Sequence, residues 1–518
     1  MSLARRKLQI GIQTFAKMRE GGYYYVDKTP MAWALAQEAG YFFLSRPRRF
    51  GKSLFLDTLA ELFEGNEGLF TGLFVHDRWD WSERHPVLRI SFSDGVLQSR
   101  AELDEKIGEI LSANQRRLGV RCDYNSLSGR FGELIEKVYE HTGRKAVILI
   151  DEYDKPILDN IDDRVTALAM REGLRNLYSV IKGADAHLRF VFLTGVSKFS
   201  KVSLFSGLNN LRDITLSPEY SALCGYTDAD VDSVFAPELD GLDREEIRRW
   251  YNGYYWLGES VYNPFDLLLL FRERSFHPWW FETGTPSFLL KLLRERETWL
   301  PGLLQLETDA DLLSTFDVDD IPIEALMFQA GYLTIDSEMH IGGSYYYRLR
   351  FPNREVYQSL YNVLLRNWCG GNSVAEVRNK KTLYRLLNTQ DCAGLKELFH
   401  AFFAAIPHQW LDNNPLARYE GYYASVFFSY FAALGLDIRV EDSSNHGRID
   451  MTVIFGGHIY LFEFKVVEQE AEGHALQQIK DKGYADKHRA AGVPIHLIGI
   501  EFSRQMRNVV GFEVESIP

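Results

Sequence analysis

The sequence predicts an α/β protein built on two sheets, and three observations carry that prediction. Five short, nearly all-apolar runs occupy the first half: Tyr41–Leu44, Val87–Phe92, Ala146–Ile150, Arg189–Leu193 and Asp213–Leu216. Helical stretches separate most of them, the pattern of a parallel sheet covered on both faces. The run Tyr41–Leu44 leads through a short loop into Leu54-Phe-Leu-Asp-Thr-Leu-Ala-Glu-Leu-Phe63, a strand–loop–helix unit. Near the C-terminus, two strand-like runs flank Gly456-Gly457, as two paired strands flank a tight turn.

The loop of the strand–loop–helix unit is Ser45-Arg-Pro-Arg-Arg-Phe-Gly-Lys-Ser53. Gly51-Lys52-Ser53 falls at the predicted helix start, where backbone N–H groups have no intrahelical partner and attract phosphate. Lys52 is placed to reach β/γ-phosphates, and the Ser53 hydroxyl to ligate Mg²⁺. The general phosphate-binding loop has a glycine where this chain has Arg46.

Ligands of open parallel sheets bind beyond the carboxyl ends of the strands. Asp151-Glu152 follows Ala146–Ile150 directly. One carboxylate is expected to hold the Mg²⁺ shell and the other to activate water against a γ-phosphate. Asp154, just before Lys155-Pro156, reads as a turn residue. After the next strand, Thr194 and Ser197 are both candidates to sense a γ-phosphate, though loops favour such residues anyway. Arg212 stands between a finger for a neighbouring subunit's phosphate and a surface salt bridge. Asp27-Lys28-Thr29 reads as a helix N-cap.

Residues 220–300 read as aromatic-rich helices, with Asp228–Phe235 and Asp243–Tyr251 as two short ones. Their tryptophans suit a core better than ligand stacking. Gly331–Ile335 and Tyr345–Arg350 flank Gly342-Gly343 and predict a hairpin. A small winged-helix-like module touching DNA and a purely structural hairpin are both compatible with it.

In the last hundred residues, Tyr419–Leu434 reads as a helix with Glu420 on an otherwise apolar face. A carboxylate there is costly without a partner. Asp450 follows the turn-rich stretch 442–447 and lies early in a strand. The run Ile459–Lys465 forms the partner strand, with Glu463 and Lys465 on one face and Phe462 and Phe464 on the other. Asp450 and Glu463 can hold one or two Mg²⁺ ions, Mn²⁺ being an alternative, and Glu420 can extend the shell. Such ions lower the pKa of water and stabilise charge on phosphate, and Lys465 can orient the water and offset developing charge. Val493–Ile500 reads as the closing strand of a mixed sheet with a helix on either side.

The motifs Tyr25-Val-Asp-Lys-Thr29, Ser45–Ser53, Ile150-Asp-Glu-Tyr-Asp154, Gly207-Leu-Asn-Asn-Leu211 and Trp250-Tyr-Asn-Gly-Tyr254 together resemble the AAA-ATPase-like family of bacteria and archaea. Asp450 with Glu463-x-Lys465 resembles the PD-(D/E)XK nucleases, a domain that this family often carries at its C-terminus. The resemblance implies a P-loop NTPase sheet of order 5-1-4-3-2 with a helical lid and connector, and a C-terminal α/β restriction-endonuclease-like domain. It implies domains at 1–220 (core), 221–320 (lid), 321–410 (connector, winged-helix-like) and 411–518 (nuclease-like). ATP contacts are then expected from Arg46, Pro47, Arg48, Arg49, Phe50, Gly51, Lys52, Ser53, Asp151 and Thr194. Cation ligands are expected at Ser53, Asp151, Glu420, Asp450 and Glu463, and catalytic roles at Glu152, Asp450, Glu463 and Lys465. The family has arginine at the position of Arg46, and it places residues matching Gln478 and Tyr484 after the Glu-x-Lys strand.

Composition bounds the partners. With 46% hydrophobic and 25% charged residues the chain has the make-up of a soluble globular protein. Its net charge of −13 repels nucleic acid, so contact with DNA must use local basic patches or bound cations. Four widely spaced cysteines suggest neither a disulfide framework nor a zinc site, which fits a reducing cytoplasm. No apolar run is long enough for a membrane span. The expectation is a cytoplasmic, ATP-binding protein, with homo-oligomers possible, whose ATPase gates or positions a Mg²⁺-dependent endonuclease. The alternative is a nucleotide-dependent switch or scaffold whose C-terminal domain binds nucleic acid without cutting it. A kinase fits less well, because it leaves the C-terminal carboxylates without a task.

Overall fold

A computed structural model describes residues 5–38, 40–198, 210–282, 287–296, 298, 300–314, 321–368, 373–404, 420–444 and 447–518, without the side chains of 282, 287, 288, 294, 295, 314, 367, 368, 373, 420–423, 443, 444 and 447. The chain divides into two compact units, Met1–Leu289 with Glu307–Asn353, and Leu290–Leu306 with Arg354–Pro518. The division between Asn353 and Arg354 falls inside the segment 321–410 expected to be one connector.

In the first unit, strands β1 (Tyr41–Ser45), β2 (Val87–Ser91), β3 (Ala146–Asp151), β4 (Leu188–Gly195) and β5 (Leu211–Asp213) form one sheet of order β2-β3-β4-β1-β5. Read from the other edge this is 5-1-4-3-2. Every pairing is parallel. Strand β1 is buried along its whole length, as an inner strand of a sheet covered on both faces must be. Helices Lys52–Phe63 and Leu127–Thr142 pack on β3, and helix Arg100–Leu118 packs on β2. The fifth strand begins at Leu211, two residues before the apolar run Asp213–Leu216, because Tyr41 to Phe43 pair with Leu211 to Asp213 and the chain then turns away.

Helices Asp228–Val234, Arg244–Tyr251 and Pro264–Glu273 follow. Thr227 closes a capping box with Asp230 at the first of them. Asn263 caps the third, with Pro264 in its first turn. The tryptophans divide their work. Trp256 is core, stacked with Tyr254 beside Phe50, and the Trp280 indole donates to the Arg48 carbonyl at 3.2 Å. The predicted hairpin is present as β7 (Thr334–Ile341) and β8 (Ser344–Arg350), turning at Gly342-Gly343. A short strand, β6 (Glu307–Asp309), adds to the far side of β8.

In the second unit, β9 (Asp437–Ser444), β10 (Gly447–Phe455), β11 (His458–Val467), β12 (Ile495–Ser503) and β13 (Asn508–Ile517) form a mixed sheet in sequence order. Only β11 and β12 run parallel. Two expectations are corrected here. Most of the stretch 442–447 is not a turn, since β9 runs through Ser444. The strand at 493–500 does not close the sheet, because β13 pairs beyond it. Helix Glu420–Ala433 covers one face, its Phe427 ring packed 5.2 Å from Phe462 and 5.1 Å from Phe464. Helix His474–Asp481 packs on β11 and β12, and its Gln478 meets Glu463 on the opposite face. Among the described residues no helix is long and apolar enough to cross a membrane.

Candidate functional sites

The loop after β1 turns through two residues with positive φ, Arg49 (69°) and Gly51 (91°). That conformation suits Gly51, which has no Cβ, and is uncommon for Arg49. It delivers Lys52 and Ser53 to the start of helix Lys52–Phe63. Lys52 is buried, and its Nζ donates to the carbonyls of Arg46 (2.9 Å) and Pro47 (3.0 Å). Burial pushes its pKa down, while Asp151, Cys224, Glu152 and Asp154 pull it up.

The acids after β3 act on this ammonium electrostatically. The Ser53 hydroxyl donates to the Asp151 carboxylate. Burial raises the Asp151 pKa from its ordinary value, against the Ser53 hydrogen bond and Lys52. Burial likewise raises Glu152; Lys52 opposes the shift, and Asp151 and Asp154 reinforce it. Glu152 itself has φ of 49°. Two or more carboxyls displaced upward around one lysine mark a pocket that would favour a further positive charge.

A cavity of about 530 Å³ opens at this point. Arg48, Arg49, Phe50, Gly51, Lys52, Ser53 and Glu152 all line it, whereas Asp151 sits behind Ser53. Arg46 turns the other way. Its side chain is wholly buried and donates to the carbonyls of Ser45 and Thr215, each at 2.9 Å, and of Tyr220 at 3.3 Å. The guanidinium lies 4.0 Å from the Trp256 ring centroid, and burial pushes its pKa down to about 10. The expected ATP contact from the Arg46 side chain is therefore corrected: it braces the loop from behind, in a position where a glycine would brace nothing. Pro47 also faces away from the cavity, against Gly331.

Thr194 is buried at the end of β4 opposite Leu44, and its hydroxyl has no partner among the described residues. Ser197 is engaged: its hydroxyl and N–H both go to Asp154, which also accepts from Val196 N–H. Asp154 is thus the turn residue expected before Pro156 and, in addition, a buried clamp on the loop after β4. Arg212 is paired with Glu38 and Glu219, the salt-bridge alternative. Asp27 accepts from Thr29 N–H at 2.9 Å and from its hydroxyl at 2.6 Å, just before helix Thr29–Glu38.

In the second unit, Asp450 on β10 and Glu463 on β11 lie side by side. The Asp450 carboxylate accepts from Phe464 N–H at 2.8 Å, and the Glu463 carboxylate accepts from Asp450 N–H. Lys465 Nζ is 3.4 Å from Glu463 Oε1. Glu463 is 1% exposed, and its Oε2 has no hydrogen-bond partner among the described residues. Burial first and Asp450 second push its pKa up to about 8, against Lys465. Gln478 donates to Glu463 Oε1 and also hydrogen-bonds the buried Tyr484. Glu420 opens its helix, but its side chain lies outside the described residues. Among those residues no group of three or more His, Cys, Asp or Glu side chains gathers in metal-binding geometry.

Sequence reasoning missed Glu501. It is buried on β12 beside Lys465, and its two oxygens accept from the N–H groups of Glu472, Gly473, His474 and Ala475. Those bonds hold its pKa down against burial and seat the helix that carries Gln478. One signal was available: a charged residue inside the apolar run Ile495–Phe502.

Comparison with known proteins agrees with this division. A family profile described as "Predicted AAA-ATPase" matches residues 9–205, and one described as "PD-(D/E)XK nuclease superfamily" matches residues 418–512. The chain is 63% identical over 516 residues to a protein of Azotobacter chroococcum mcd 1 described as "Uncharacterized protein in vnfD 5'region", an alignment covering 99% of this chain and all of that one. With the parallel-sheet unit and its loop at 45–53 on one side, and the Asp450, Glu463 and Lys465 strands on the other, the chain belongs to the AAA-ATPase-like family and carries a C-terminal domain of the PD-(D/E)XK nuclease superfamily.

Proposed function

We propose that this protein binds ATP with a divalent cation through its first unit and cleaves nucleic-acid phosphodiesters, DNA above all, through its C-terminal domain. The observation that carries the nuclease half is the Glu463 carboxylate, buried beside Asp450 and within reach of Lys465, with one oxygen unpartnered among the described residues. A buried anion in that state is costly, and hard oxygen donors of this kind suit Mg²⁺ or Mn²⁺. Asp450 and Glu463 would hold the cation, with Glu420 as a further ligand. When bound, such a cation lowers the pKa of water and stabilises charge on phosphate.

The chain's own residues do the rest. Phe464 N–H holds Asp450 in place, Gln478 orients Glu463, and the Lys465 ammonium offsets negative charge developing on the phosphate. In the first unit, Lys52 would exchange its two loop carbonyls for β/γ-phosphate oxygens, with Arg48 and Arg49 facing the same anion. Ser53 and Asp151 would hold the accompanying cation. Glu152 would take the proton of the attacking water, and the Thr194 hydroxyl would meet the γ-phosphate. Of the segment expected to be a lid, residues 221–289 belong to the same unit as this site and would cover it.

A cleavage panel tests the reading: linear, branched and single-stranded DNA and RNA, with Mg²⁺ or Mn²⁺, with and without ATP. Metal-dependent cutting that Asp450→Ala and Lys465→Ala abolish, with ATP binding intact, is the expected result. No cutting of any substrate under any nucleotide condition would overturn the nuclease half.

A further inference from the structure

The cavity beside the phosphate loop extends well past the groups that phosphates need. Its lining also includes Ile12, Val26, Tyr226, Phe265 and Leu268, apolar or aromatic side chains suited to a flat ring. Its volume of about 530 Å³ is in the range of sites for ligands of nucleotide size.

A buried polar group also lines the cavity: Gln9, which is 4% exposed. Its Nε2 donates to Tyr226 Oη at 2.8 Å, and its Oε1 has no hydrogen-bond partner among the described residues. Both ends of this pair are pinned by backbone bonds. Gln9 O accepts from Ile12 N–H, and Tyr226 exchanges two bonds with Tyr262. An amide oxygen left in a buried site without a donor is costly, and a ligand that brings an N–H relieves the cost.

We infer that Gln9 reads the base, its Oε1 accepting a hydrogen bond from the 6-amino group of adenine. Hypoxanthine and guanine carry a carbonyl oxygen at that position, which would set two acceptors against each other. The site therefore selects adenine over 6-oxo purines. The inference rests on the proposed ATP site in the first unit and adds the residue that chooses the base.

Calorimetric titration of the full chain with ATP and with inosine triphosphate, both with Mg²⁺, tests it. These nucleotides differ at position 6 and in the proton on N1. ATP is expected to bind at least about 10-fold tighter, since a site built around one hydrogen bond rejects the analogue that cannot make it. Gln9→Ala should bring the two within about 3-fold, and Tyr226→Phe, which frees the amide to rotate, should narrow the ratio partway. The readout is a ratio, so a general loss of stability does not mimic it. Equal binding of the two nucleotides by the unmodified chain, both abolished in Lys52→Ala, would overturn the base assignment and leave the nucleotide site standing. A preference for ATP that survives both substitutions would overturn the role of Gln9. If neither nucleotide binds, the ATP reading fails and this inference fails with it.

Discussion

Asp450 Oδ2 lies 2.8 Å from the backbone nitrogen of Phe464 and accepts its hydrogen bond. The paired register of β10 and β11 stops at Met451 and Phe462 on this side. Beyond that point a strand N–H that would otherwise seek a neighbouring carbonyl turns to a carboxylate. The sheet is open where the Asp450, Glu463 and Lys465 side chains meet, and Asp450 is rigid because the backbone of β11 holds it.

This bond separates charge from structure at residue 450. Asp450→Asn keeps an oxygen for Phe464 N–H and removes the anion. It is expected to unfold in urea close to the unmodified protein while losing metal-dependent cleavage. Asp450→Ala should lose cleavage too, and should also cost about 1–3 kcal/mol, because the buried Phe464 N–H is left unpaired. Urea midpoints of the two variants, compared side by side, check this.

Glu463 makes the metal-free protein sensitive to pH in a stated direction. Its pKa is pushed up to about 8 in the folded chain from the ordinary 4.5. Between those values the folded state holds a proton that the unfolded state has released, so this group's contribution to stability falls as pH rises through the window. Above about pH 8 the folded protein carries the full cost of the buried charge. Glu463→Gln has no such titration. Its melting temperature relative to the unmodified protein should climb steadily across this range in chelator, and millimolar Mg²⁺ should shrink the difference. A constant difference would remove the case for a strained carboxylate.

Arg46 is expected to act on stability more than on phosphate. Arg46→Ala strips donors from three backbone carbonyls and removes the cation from the Trp256 face. We expect a loss of roughly 3–5 kcal/mol, as for other buried charged networks broken on one side. Arg46→Lys should recover little, because a single ammonium cannot reproduce the planar fork. Denaturant unfolding followed by tryptophan fluorescence reads both variants.

Gly331 offers a remote route to the phosphate loop. Its φ is 90°, and a Cβ built there would stand 2.7 Å from Pro47 Cβ. Gly331→Ala should therefore displace Pro47, whose carbonyl helps hold Lys52, and lower stability by about 1–3 kcal/mol. ATP affinity should fall with it, measured by titration at a temperature where the variant remains folded. The C-terminal metal response should be unchanged.

The five strands of the first sheet and both candidate sites could be read from local pattern, while the strand order came only with the family resemblance. An apolar run ending in Ser45 and leading to Gly-Lys-Ser, an acid pair at the end of β3, and an Asp facing Glu-x-Lys across a Gly-Gly turn all sit within a few residues of the features that define them. What escaped depends on partners remote in sequence. The direction of Arg46 is set by carbonyls at 215 and 220 and by a ring at 256. The clamp at Asp154 is set by residues 196 and 197. Strands β9 and β13 were hidden for a different reason. They are the two outer strands, and the second half of β13 is mostly exposed, so polar residues such as Glu513 and Glu515 blur its pattern.

The carboxylate of Glu501 has a wider effect than seating one helix. A helix start with free N–H groups is an inviting berth for a phosphate, but here the protein's own anion already occupies it. A polynucleotide bound as proposed would find that berth taken and a second acid, Glu463, next to Lys465. Under the proposed nuclease reading, docking of a strand and loading of a divalent ion on a chain this acidic would become one event. Ionic strength and ion concentration should then set how tightly substrate is gripped as much as how fast it is cut.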